Sequence, residues 1–242
     1  MRDFLEEIRS GPRKIAVTGH FGCGKTEIAV SLAFALARAQ REAQPPGARE
    51  RLALCDLDIE NPYFRSRERQ EDLERAGVRV YSDPFGGRNG SELQLITAAI
   101  RAPLEDAGCR VLCDCGGDKA GAMILNQFRK YFRDGARLLC VVNPNRPGSD
   151  SVEKAVAHLR AIEQATGLSV TGLVANGHLL RETTAETVRE GWLFTQRVSA
   201  ATGIPALCAC CMEALAEPVR RSGVPVFPIG MYMRASYLDR QV

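Results

Sequence analysis

The 242-residue sequence contains no long apolar run. None approaches the ~18 residues that a membrane-spanning helix needs, which excludes such a span and stable membrane insertion. Surplus charge is also scarce: 32 basic against 29 acidic residues leave +3. That balance argues against a nucleic-acid or membrane-surface partner. No secretory segment opens the chain, because Met1-Arg2-Asp3-Phe4-Leu5-Glu6-Glu7-Ile8 is charged and amphipathic. The nine cysteines are an odd number and sit mostly in apolar runs. They read as free thiols in a reducing, cytoplasmic compartment rather than as a disulfide framework. Internal repeats and a linker-like stretch are absent too, so one domain over 1–242 is expected.

Against these absences stands one well-defined stretch. Gly19-His20-Phe21-Gly22-Cys23-Gly24-Lys25-Thr26 satisfies G-x-x-x-x-G-K-[ST], the phosphate-binding P-loop. An apolar run, Lys14 to Thr18, enters it as a predicted strand, and an Ala/Leu-rich predicted helix, Glu27 to Arg38, leaves it. In that context the loop N–H groups and the helix start face a phosphate chain. The nucleotide-contacting set is then Gly19 to Glu27. Lys25 reaches the β- and γ-phosphates, and the Thr26 hydroxyl binds Mg²⁺.

Apolar runs alternate with helical patterns along the rest of the chain. Strands are expected at Leu52 to Asp56, Val78 to Tyr81, Arg110 to Asp114, Ala136 to Val142, Val170 to Ala175, Ile204 to Cys208 and Val224 to Ile229. Helices are expected over residues 1–12, Ser91 to Arg101, Gly121 to Phe132, Ser151 to Thr166, Thr183 to Thr202 and Glu213 to Arg221. This is the pattern of an α/β three-layer sandwich with a mostly parallel sheet. Ligands of such sheets sit beyond the carboxyl ends of the strands. Thr18, Asp56, Asp114, Asn143 and Asn176 all fall at those ends.

Asp114 ends an apolar strand and opens Asp114-Cys115-Gly116-Gly117. Such an aspartate holds Mg²⁺, directly or through water, and the Gly117 N–H can sense a γ-phosphate. Asp56 and Asp58 are one residue apart in extended chain, so both point the same way, toward one phosphate and its metal. One of them alternatively caps the turn that follows. Asn61 to Glu68 comes directly after. Its Arg65 and Arg67 either contact phosphate, an acidic substrate or a partner, or belong to a solvated helix start. Asp83 to Gly90 has the glycine content of a recognition loop. Cys208, Cys210 and Cys211 cluster, but no histidine stands at helpful metal-ligand spacing. Cys23 is small enough for the loop and a candidate for oxidation. Met231 to Leu238 is mildly amphipathic and too short for a membrane anchor.

From about residue 14 to 230 the chain resembles the MinD, ParA and CobQ-type P-loop ATPases of the SIMIBI class. The resemblance rests on Gly19 to Thr26, Asp56-Leu57-Asp58 and Asp114 to Gly117. It implies that Asp58 orients an attacking water, Asp56 supports Mg²⁺ and Asn176 lies on the adenine, with residues near Pro228 lining the base pocket through backbone. Catalysis would then rest on Lys25, Asp58 and Asp114. MinD and ParA carry a signature lysine after the first P-loop glycine, where this sequence has His20. The [NT]-K-x-D guanine motif is missing from the strand ends at Asn143 and Asn176, which favours ATP. The resemblance implies a Mg-ATP-dependent switch that forms a homodimer and acts on a partner protein. Its alternatives are transfer of the γ-phosphate to a small carboxylic acid, as in dethiobiotin synthetase, and a metallochaperone using the cysteines.

Overall fold

The first strand shows why a sheet forms. Lys14–Gly19 (β1) has one half-buried end and five buried residues in succession. Continuous burial without alternation is what a strand covered on both faces requires. The helix behind it, Lys25–Glu42 (α2), buries Ile28, Ala29, Leu32, Ala33 and Leu36. Spacings of three and four put these on one stripe, and the alanines let the helix lie close to the sheet.

The structure is a computed structural model that describes residues 3–43, 50–58, 66–82, 99–117, 119–133 and 135–233. After Phe4–Ser10 (α1), β1 and α2 come Arg51–Leu57 (β2), a 3-10 turn at Ser66–Arg69, Gln70–Arg75 (α3) and Val78–Tyr81 (β3). A helix over 99–105 (α4) leads to Cys109–Cys115 (β4), Lys119–Gln127 (α5) and Arg137–Val142 (β5). Val152–Thr166 (α6), Gly172–Ala175 (β6), Ala185–Thr202 (α7), Ala206–Met212 (β7), Glu213–Arg220 (α8) and Val226–Ile229 (β8) complete the order.

The eight strands form one sheet in the order β3-β2-β4-β1-β5-β6-β7-β8. Every neighbouring pair is parallel. Helices cover both faces, in three layers. Phe4 and Ile8 of α1, the apolar stripe of α2 and Leu73 of α3 share one core. Ile100, Leu104, Leu125, Leu159 and Phe194 cover the other face. Trp192 of α7 and Val219 of α8 extend that second layer over β7 and β8. The strand order turns back at β1 and β4, so the ligand crevice opens beyond their carboxyl ends.

Two expected elements end elsewhere. The helix foreseen over Gly121 to Phe132 stops at Gln127, and the chain tightens into a 3-10 turn at Arg129–Tyr131. Helices commonly close this way. The strand foreseen to stop at Cys208 runs to Met212. Residues 208–211 are buried between the two helical layers, so extension keeps their backbone groups paired in the ladder. Arg65 and Asp83 to Gly90, named above as candidate contacts, lie outside the described residues; Arg67 lies in the 3-10 turn. No described helix is long and apolar enough to cross a membrane.

Candidate functional site

The P-loop leaves β1 and winds into the first turn of α2. Gly24 caps that helix with φ +91°, and a Cβ there would lie 2.3 Å from Asn176 Nδ2. Only glycine satisfies both conditions. Helix α2 begins at Lys25, two residues earlier than the sequence pattern suggested, so Lys25 and Thr26 sit in its first turn. The Lys25 ammonium donates to the His20 carbonyl at 3.3 Å, which holds it over the loop. A P-loop lysine in this position is a mobile point charge at the mouth of a ring of backbone donors.

The three carboxylates arrive from two adjacent strands. Asp56 of β2 and Asp114 of β4 are register partners in the ladder. Asp114 is fully buried, and neither of its carboxylate oxygens has a hydrogen-bond partner. Burial pushes its carboxyl well above the usual range, and Asp56 adds to the effect. Nearby Thr26 and Lys25 pull the other way, while Asp58 again raises it. Asp56 Oδ1 accepts the Asp58 N–H at 3.2 Å. Asp56 therefore caps the turn at Asp58 through this oxygen. Asp58 itself lines the cavity next to Lys25 and Thr26. Behind them, a Cβ on Gly117 would lie 2.1 Å from the Gly19 carbonyl and 2.7 Å from Lys25 Nζ. The loop after β4 is thus in direct backbone contact with the P-loop. A divalent cation fits this donor set: two unpartnered, buried carboxylate oxygens on Asp114 and a hydroxyl on Thr26.

A cavity of about 400 Å³ runs from this cluster to the ends of β6, β7 and β8. Its far half is lined by Leu180, Cys211, Met212, Ile229, Met231 and Met233. Asn176 stands between the halves. Its Nδ2 donates to the Cys23 carbonyl at 2.7 Å, while its Oδ1 is buried without a partner. Arg146, from the loop after β5, donates to the Gly22 carbonyl at 2.8 Å and faces His178 Nε2 at 3.5 Å. Burial and then this guanidinium lower the His178 pKa to about 4, against a weaker opposing hydrogen bond to the Gly22 backbone.

Of the residues foreseen from the sequence, Phe21, Gly22, Gly24, Lys25, Thr26, Asp58 and Asn176 line the cavity, and Asp114 and Gly117 lie close to Lys25. Others stand differently. His20 lies outside the cavity lining, with its ring edge-to-face on His158 at 4.9 Å and its Nδ1 3.2 Å from the Phe21 carbonyl. Glu27 lines the cavity, yet both its oxygens accept backbone N–H groups from Tyr232 and Met233. Cys23 is buried and its thiol is raised by burial, with Lys25 opposing, so it is an inert packing residue. Ile229, Gly230 and Met231, the residues just after Pro228, line the far half of the cavity.

The cysteine cluster divides. Cys208 and Cys210 join the α2-side core, whereas Cys211 joins the α7-side core. Cys208 and Cys211 are three apart in a strand, and odd spacings point to opposite faces. No group of three or more potential metal ligands of the His, Cys, Asp and Glu types occurs among the described residues. Arg146 and His178 were not foreseen as site residues, and the segment Gly230 to Met233 was foreseen only as residues near Pro228. The only signal for the first two was their place just after strand ends.

No family model and no curated protein matches the sequence. Solved structures do match its fold. FtsY from Mycoplasma mycoides is 13% identical with a TM-score of 0.52, over 81% of this chain and 59% of that one. The signal recognition particle 54 kDa protein from Aeropyrum pernix, solved with GDP, is 16% identical with a TM-score of 0.53, over 83% and 41%. FtsY from Elizabethkingia anophelis, also with GDP, gives 16% and 0.52 over 88% and 65%.

The chain has the P-loop NTPase fold.

These matches span between 41% and 65% of the solved chains, so the common part is the P-loop NTPase core and not the whole neighbour. The strand-to-helix P-loop at residues 19–26 occupies the place in this core where phosphate binding is built.

Proposed function

We propose that this protein is a Mg-ATP-binding P-loop ATPase of the SIMIBI class, similar to MinD and ParA, that works as a nucleotide-dependent switch on a partner protein. The observation that carries this is the meeting of Lys25, Thr26 and Asp58 at one end of the cavity, with Asp114 and Gly117 close to Lys25 behind its lining. The loop amides and Lys25 hold the phosphate chain. Thr26 and Asp114 would hold the Mg²⁺, with Asp56 behind them, and the cation would supply neutralisation of phosphate charge. Asp58, aimed by Asp56, orients a water at the γ-phosphate. Gly117, in contact with both the Gly19 carbonyl and Lys25, is placed to report the γ-phosphate to the segment after β4.

Adenine is favoured by the far half of the cavity. Asn176 Oδ1 is a buried acceptor without a donor, which suits the exocyclic amine that adenine and guanine both carry. Of the two carboxylates that line the cavity among the described residues, Asp58 lies with the phosphate cluster and both oxygens of Glu27 already accept N–H groups, so neither is free for the ring N–H of guanine. The solved neighbours with GDP make guanine the alternative to test.

The rim carries Phe21, 71% exposed, on the P-loop, and Leu180, 53% exposed, beside it. We infer that this face closes on a second copy when ATP is bound, with His20 beside the joint. Asp58→Ala, which slows hydrolysis, is measured by light scattering with Mg²⁺ and either ATP or ADP. A dimer formed only with ATP is expected. An unchanged mass in both overturns the dimeric switch and directs the search to small carboxylic acids as phosphate acceptors.

A further inference from the structure

Beyond β8 the chain crosses α2 as a short strap, Gly230 to Met233. The Gly230 N–H donates to Ser31 Oγ at 3.1 Å. The Tyr232 ring stacks on Phe34 with centroids 4.6 Å apart. The Tyr232 N–H donates to Glu27 Oε1 at 2.6 Å, and the Met233 N–H to Glu27 Oε2 at 3.1 Å. On the other side, Arg69 Nε donates to the Tyr232 carbonyl. One residue of the strap is therefore gripped at both of its backbone groups by opposite charges. Charge-assisted hydrogen bonds of this kind are roughly twice as strong as neutral ones.

The clamp would be plain fold architecture if the strap did nothing else. Yet Gly230, Met231 and Met233 form a wall of the cavity, on the side away from the phosphates. Its two anchors come from the phosphate side. Glu27 directly follows Thr26 in the first turn of α2. Arg69 ends the 3-10 turn of the segment that follows Asp56 and Asp58. Burial of Glu27 raises its carboxyl, and the Tyr232 and Met233 N–H groups, then Arg69, pull the other way.

The geometry points to Glu27 and Arg69 as positioning residues for nucleoside recognition: they hold the Gly230–Met233 wall against the base without touching the phosphates. The inference rests on the nucleotide-binding reading above. It separates the base from the triphosphate, which is how it is tested.

Calorimetric titrations with Mg²⁺ compare tripolyphosphate with ATP and GTP, for the unaltered chain and for Glu27→Gln, Arg69→Ala and Arg69→Lys. Gln keeps the size of Glu27 but accepts through one oxygen, so one strap N–H loses its partner. Glu27→Gln and Arg69→Ala should each weaken the tighter of the two nucleotides about 10-fold. Tripolyphosphate affinity should stay within about twofold, and Arg69→Lys should recover most of the loss. Equal weakening of tripolyphosphate, or no weakening of the nucleotide in either variant, overturns the assignment. Circular dichroism of each variant guards against misfolding, and Arg69→Ala stands on a different element from Glu27→Gln. If ATP or GTP binds and both variants leave its affinity unchanged, the base-wall assignment fails alone. If the unaltered chain binds tripolyphosphate but neither nucleotide, the nucleotide-binding reading fails and takes the assignment with it. If it binds none of the three, both fail likewise.

Discussion

The two halves of the cavity are built from different materials. The half proposed for phosphate uses charged side chains and glycine backbone from short contiguous motifs, Gly19 to Thr26 and Asp56 to Asp58, with Asp114 to Gly117 behind its lining. The base half uses apolar side chains and a strap gathered from residues up to 206 positions apart, as Glu27 and Met233 are. The first half is expensive to desolvate, and Asp114 shows the cost in its raised carboxyl. The second is apolar and held by hydrogen bonds at its edge. Phosphate recognition needs particular atoms at particular spacing, whereas a base needs a flat slot that many sequences can line.

The largest expected effect tests the phosphate half. Lys25→Ala should lower nucleotide turnover on the order of 10²–10³-fold, as loss of one preorganised donor to a developing charge does. Single-turnover hydrolysis checks this, and a loss below tenfold would break the division of labour described here. Next is the seam between the halves. Gly24→Ala forces a Cβ onto Asn176 and a left-handed φ onto alanine, and should cost about 2–4 kcal/mol. Gly203→Ala is the control. It shares a positive φ (+75°) but has nothing within 4 Å, so about 1 kcal/mol is expected. Urea midpoints of the two variants compare them directly, and equal costs would mean that Asn176 does not brace the loop.

A further effect, confined to acid pH, concerns His178. Its folded pKa is depressed to about 4, chiefly by burial and then by Arg146. Above the ordinary histidine pKa of 6.5 the neutral ring is common to folded and unfolded chains, and nothing is lost. As pH falls below 6.5, the unfolded chain takes up a proton that the folded chain refuses, so stability declines until about pH 4. Between pH 8 and pH 5 this one group should contribute a loss of about 2 kcal/mol. His178→Gln keeps an acceptor for Arg146 and should flatten that slope in denaturation midpoints. An unchanged slope would place the acid sensitivity elsewhere.

How much of this was legible beforehand follows the same division. Asp114 and Lys25 were readable because their chemistry is local: a strand, a turn and a few residues in order. Asn176 was placed by resemblance, and the structure puts it against the P-loop, where Nδ2 binds the Cys23 carbonyl. Glu27 was expected on the nucleotide, but its carboxylate is occupied by the strap. Nothing near residue 27 in the sequence signals a partner at residue 232. The cysteine cluster misled for a related reason. The spacing of Cys208, Cys210 and Cys211 looks compact on paper, but strand geometry sends Cys211 to the opposite face.

By itself the sequence determined the P-loop, the order of strands and helices and the carboxylates at their ends. Each depends on neighbours in the chain and on the period of apolar residues. Only the tertiary structure decided that β4 inserts between β1 and β2, bringing Asp114 beside Asp56. It alone turned His20 onto His158 and laid the strap over α2. Those contacts join residues far apart in the chain through packing and backbone hydrogen bonds, which leave no spacing or period to read.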